Sequence, residues 1–111
     1  MADAPTGARA YDLHAKESTL TITMHREFDR ANTPQDWAVQ VQLLHPGPFA
    51  QVVVDCSGCG PLSSGFFSGL MQLQRHYSTG GAKLVLHRPD PRMVRNLEIM
   101  RLREFFEVVA R

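Results

Sequence analysis

Hydrophobic and polar positions along this chain alternate between two periods. Leu20, Ile22 and Met24 interleave with Thr21, Thr23 and His25, the period-two signature of a half-buried strand. The segment before it, ARAYDLHA, reads as a companion strand, set off by Lys16 and Glu17. AQVVVDC is a short, nearly continuous valine-rich run, as expected of a central strand covered on one or both faces. AKLVLH is a second such run. Between them Phe66, Leu70, Leu73 and Tyr77 recur at helical spacing, and the helix they predict stops at Gly80-Gly81. Pro89 and Pro91 bracket Asp90, a good N-cap, and Met93, Val94, Leu97 and Met100 fall on one face of the helix that follows. FFEVV closes the chain as an edge strand.

Residues 34–45 carry both periods at once. Trp37, Val41 and Leu44 lie at i, i+4 and i+7, yet Trp37, Val39, Val41 and Leu43 also alternate with Ala38, Gln40 and Gln42. Thr33 as N-cap and Pro34 at the first helical position decide for a helix. His45 to Pro48 ends the segment, because Gly47 between two prolines does not continue a helix. The resulting order, β-β-α-β-α-β-α-β, is that of an α/β domain rather than an all-helical one.

The remaining features bound this picture. A chain of 111 residues holds one core, and 43% hydrophobic with 21% charged residues is ordinary for a soluble domain. Residues 1–7 read as a frayed tail and 8–111 as the domain. No apolar run reaches the roughly 20 residues of a membrane span, and the N-terminus lacks a signal-peptide pattern, so a cytoplasmic protein without membrane insertion is expected. Residues 1–55 carry four Lys/Arg and seven Asp/Glu, and residues 56–111 carry eight and four. This asymmetry can orient a protein partner but falls short of a nucleic-acid footprint.

The chemistry concentrates in VVVDCSGCGPLSSGFFSGL, residues 52–70. Cys56 and Cys59 spell C-x-x-C, but Cys56 continues the inward alternation of Val52 and Val54, and Cys59 sits ahead of the helix. A dithiol catalyst needs its first cysteine exposed at a helix N-terminus, so these read as structural thiols. The five histidines are scattered with no paired metal-ligand spacing, and no metal or cofactor is expected. Ser63 and Ser64 have a plain reading as helix caps. They also present a hydroxyl at a helix N-terminus, on a Gly-rich loop at the carboxyl edge of a sheet. Backbone N–H groups and the helix dipole accommodate a phosphate there. No Ser-His-Asp or Cys-His arrangement can be placed around it, so no enzymatic activity is expected.

These residues resemble the STAS domain of bacterial anti-sigma factor antagonists. The likeness is carried by Asp55-Cys56-Ser57-Gly58 ending an apolar strand, by Ser63-Ser64-Gly65 opening a helix, by Gly80-Gly81, by KLVLH and by LREFFEVV. TITMHREFD is similar to the family segment that places an acidic residue, here Asp29, beside the switch loop. The resemblance implies a mixed four- to five-stranded sheet covered by three to four helices in a single domain. It implies partner switching: a serine-kinase anti-sigma factor, a GHKL-type ATPase, binds the unmodified domain and phosphorylates Ser63 (alternatively Ser64), and a PP2C-type phosphatase reverses this. Asp29, Asp55, Ser57, Gly58, Leu62, Ser64, Gly65, Phe66 and Phe67 would line the partner face of a monomer or weak dimer. Leu62 stands where the family has an aspartate, and Phe67 where a small residue is common. The alternative they raise is an unmodified docking subunit of a transporter or signalling assembly.

Overall fold

The computed structural model describes residues 11–25, 37–58 and 64–109. The alternating N-terminal segments form an antiparallel pair, β1 (Tyr11–Lys16) and β2 (Thr19–His25). The chain reverses through Glu17 and Ser18, with Glu17 at a left-handed φ of 56°. The valine-rich run is β3 (Gln51–Gly58), followed by β4 (Lys83–His87) and β5 (Glu107–Val109). Among the described residues these make one sheet in the order β1-β2-β3-β4-β5, with β2 to β5 parallel and β3 at its centre.

Three helices connect the parallel strands: α1 (Trp37–Leu44), α2 (Ser64–Thr79) and α3 (Pro91–Ile99). Successive strands step across the sheet in one direction, so right-handed crossovers place all three helices on the same face. The core lies between them and that face. Leu20, Ile22 and Met24 of β2, Val52, Val54 and Cys56 of β3, and Leu84 and Leu86 of β4 meet Trp37, Val41, Phe66, Leu70, Leu73, Met93 and Leu97 from the helices. Among the described residues no helix packs on the other face, where Thr19, Thr21, Thr23, Val53 and Asp55 remain half-buried.

Trp37 answers the ambiguity at residues 34–45. Its indole is 1% exposed and lies nearly parallel to the Phe66 ring, with centroids 6.0 Å apart, while Tyr11 closes its other flank at 5.6 Å. The approach needs a glycine in α2: a Cβ on Gly69 would fall 2.2 Å from the indole Nε1. Val39 and Leu43, the competing strand-period positions, are exposed.

Two positions differ from the helical faces read in the sequence. Leu44 is exposed because α1 ends there, two turns after it begins, beyond the edge of the core. Met100 is exposed because it is the C-cap of α3, and Arg101, at φ 60°, turns the chain away. Leu102 N–H then reaches Leu97 O at 2.8 Å and Arg101 N–H reaches Glu98 O at 3.0 Å, a Schellman ending. α2 ends the same way with Gly81 at φ 91°. The closing strand is shorter than FFEVV: Phe105 belongs to a single 3-10 turn, Phe106 is buried behind it, and only Glu107–Val109 pair with β4.

The loop from α1 to β3 is latched to the end of α2. Tyr77 donates its hydroxyl to His45 O at 2.7 Å, and a ring nitrogen of His76 lies 3.1 Å from Pro46 O. Burial pushes the Tyr77 phenol up to about 12.

Candidate functional site

Parallel strands that each hand on to a helix bring strand carboxyl ends and helix amino ends to one edge of the sheet. The register defines what meets there. Asp12 of β1 pairs with Thr23, Thr23 with Asp55, Asp55 with His87, and His87 with Val109, forming one row across the face opposite the helices. Beyond Thr23 the pairing of β2 with β3 shifts, and His25 comes opposite Gly58. His25 reaches back to Asp12, with its Nε2 2.8 Å from the carboxylate.

Asp55 is the anchor of this edge. Partial burial disfavours its charged form, but the Ser57 backbone and side chain hydrogen-bond to it, and His87 and Arg88 add positive charge nearby. The balance holds its carboxyl below the usual aspartate range, so it is ionised at neutral pH. The Ser57 N–H donates to Asp55 Oδ1 at 3.0 Å, a local Asx-type bond that fixes how β3 leaves the sheet. On the neighbouring connection Asp90 caps α3 by accepting from Arg92 N–H at 2.8 Å. Hydrogen bonds from Arg92 lower the Asp90 carboxyl as well.

The residues expected at the switch are distributed unequally. Asp55, Ser57 and Gly58 end the central strand, and Ser64 and Gly65 open the 16-residue helix α2 at the same edge. Asp29, Leu62, Ser63 and Cys59 lie outside the described residues. Phe66 and Phe67, expected at the partner face, turn inward in the isolated chain. Both rings are buried, packed edge-to-face with centroids 5.5 Å apart. The reason is the close approach of α1 at Gly69, which turns the first turn of α2 inward beneath Trp37. Cys56 is buried in the core, as the strand alternation predicts. Among the described residues no group of three or more His, Cys, Asp or Glu side chains could hold a metal ion.

Asp12, His25, His87 and Arg88 were not singled out in the sequence, although they surround Asp55 and its row. Only the strand register assembles them, and register between β1 and β4 is not a local property. The assembled edge offers an ionised carboxylate, an exposed serine hydroxyl and the amino end of a helix. Such groups recognise a partner's hydrogen-bonding and basic surface.

A mixed five-stranded sheet with three helices, joined strand to helix to strand, is the architecture of a STAS-type domain. Residues 11–109 match the family model described as "Mlab, STAS domain", and the chain belongs to that family. No curated protein matches the chain. No helix among the described residues is long and apolar enough to cross a membrane.

Proposed function

We infer that this chain is a non-catalytic regulatory module that docks a protein partner at the carboxyl edge of its sheet, with Ser63 as a phosphorylation switch. One observation carries the reading: an ionised Asp55 and an exposed Ser57 end the central strand where α2 begins. A phosphate added at Ser63 would bring roughly −1.5 to −2 charge to the residue that precedes α2 in sequence and oppose docking of the partner bound before modification. On this reading the module is an anti-sigma factor antagonist in the cytoplasm. Its partners are a GHKL-type serine-kinase anti-sigma factor and a PP2C-type phosphatase.

The test is intact-mass and phosphopeptide analysis of the chain isolated from its own cells, beside Ser63→Ala. The expected result is a phosphoryl group on wild type that the variant lacks. No modification, or one that persists in Ser63→Ala, removes the switch. Two observations support a second reading, an unmodified docking subunit of a transporter or signalling assembly. Leu62 precedes the serines, and Phe67 is packed into the core instead of marking the partner face. Co-purification separates the two, since a small kinase-like ATPase fits the first and a transporter or scaffold the second.

A further inference from the structure

A parallel sheet is ordinarily covered on both faces. Here four parallel strands have one face against helices, and among the described residues nothing packs on the other. That face has a specific charge order. Its amino-edge row is Lys16, Thr19, Gln51 and Lys83; its middle row is His14, Thr21, Val53, Val85 and Glu107; its carboxyl-edge row is Asp12, Thr23, Asp55, His87 and Val109. The lysines are confined to the first row and the aspartates to the third. The centre carries β-branched side chains, and a shallow depression of about 340 Å³ lies over Val53, Val85 and Val109, where Val85 is only 6% exposed and the rim is held by a Lys83–Glu107 ion pair at 2.6 Å.

We propose that the uncovered sheet face is a self-association surface, and that its occupant is a second copy of this chain stacked face to face with its strands reversed. A two-fold axis along the middle row turns the face onto itself. Thr21 and Val53 then lie over their own counterparts, and the lysine row of each copy lies over the aspartate row of the other. Lys16 sits over Asp12 of the partner subunit, twice by symmetry, while Lys83, which pairs with Glu107 of its own copy at 2.6 Å, sits over the partner subunit's His87 with the partner subunit's Asp55 one strand away. Strands turned the same way would set lysine over lysine, so the charge order selects one orientation as well as one partner.

The dimensions set the strength. Five strands at roughly 4.8 Å spacing and five to six residues at about 3.3 Å give a face of about 400 Å² per copy. The total of roughly 800 Å² is below the 1,200 Å² at which stable interfaces begin. The dimer is therefore weak, of the transient kind. It leaves the amino end of α2 free, because that helix lies on the opposite side of the sheet.

The experiment is sedimentation equilibrium of the full chain across a concentration series, with Lys16→Glu, Asp12→Lys and their equimolar mixture. Circular dichroism and a thermal melt confirm that each variant is folded. Wild type is expected to dimerise. Each variant alone sets like charges over one another at two symmetric positions and should associate at least about tenfold more weakly. In the mixture every Lys/Asp contact is restored with its partners exchanged, so a heterodimer should recover wild-type affinity. A wild type that stays monomeric at millimolar concentration overturns the proposal and leaves the face to a different protein. So do variants that dimerise like wild type, or a mixture that stays monomeric while wild type dimerises.

Discussion

Gly69→Ala tests the contact that sets the orientation of α2 against the rest of the domain. The added methyl would lie 2.2, 2.3 and 2.4 Å from Nε1, Cε2 and Cζ2 of Trp37, where ordinary contacts are 3.4–4 Å. More than 1 Å must be found. The indole cannot supply it in place, since it is buried between Phe66 and Tyr11. If Trp37 leaves its site, the cost approaches the roughly 3–5 kcal/mol of losing a buried tryptophan. If α1 lifts by about 1 Å, overpacking strain of about 1–3 kcal/mol is joined by lost dispersion along the α1–α2 contact. Alanine returns up to about 1 kcal/mol in helix propensity. The expected net loss is about 2–4 kcal/mol, a fall in Tm of roughly 10–25 °C for a domain of this size. Urea unfolding followed by far-UV circular dichroism reads the loss in every variant, including those that lack the single tryptophan. Combining Gly69→Ala with Trp37→Leu should cost less than the sum of the two single changes, because the leucine vacates the methyl's position. A stability within about 0.5 kcal/mol of wild type, or strict additivity in the double variant, would refute the packing described here.

Other positions give smaller, equally definite outcomes. Arg101→Gly places glycine at the left-handed position that closes α3 and should raise stability by about 1 kcal/mol; a loss in chemical denaturation would contradict the Schellman ending. Tyr77→Phe removes the hydroxyl donated to His45 O and should cost about 0.5–1.5 kcal/mol, with faster amide exchange in residues 45–50 as the local signature. Asp55 has a lowered folded-state pKa, so its stabilising contribution is full above the unfolded value of about 3.9 and is lost as pH falls through the folded value. Asp55→Asn should therefore flatten the acid limb of stability against pH below about pH 4, and unchanged slopes would show that the carboxylate is not held ionised.

The strands were legible because their alternation is local. The inward set Leu20, Ile22 and Met24, continued in β3 by Val52, Val54 and Cys56, is the buried face in the structure. The Asp90 cap and the Gly80-Gly81 stop were legible for the same reason. α1 was harder because its outer face is also apolar: Val39, Leu43 and Leu44 are exposed, so hydrophobicity alone does not separate its two periods. The burial of Phe67 is not legible in the chain because it depends on how close α1 comes at Gly69, a contact between residues 32 positions apart. The row of Asp12, Thr23, Asp55 and His87 was invisible for a related reason. Strand pairing alone brings it together, and no spacing in the chain encodes it.

Docking at the carboxyl edge rather than on the open face of the sheet is the central claim. Affinity capture from the source cells with wild type, Ser57→Arg at the carboxyl edge, and Thr21→Arg at the centre of the uncovered face separates the candidates. Ser57→Arg should lose the captured partner while Thr21→Arg retains it. Retention by Ser57→Arg together with loss by Thr21→Arg would contradict the claim and move the docking surface to the open face of the sheet.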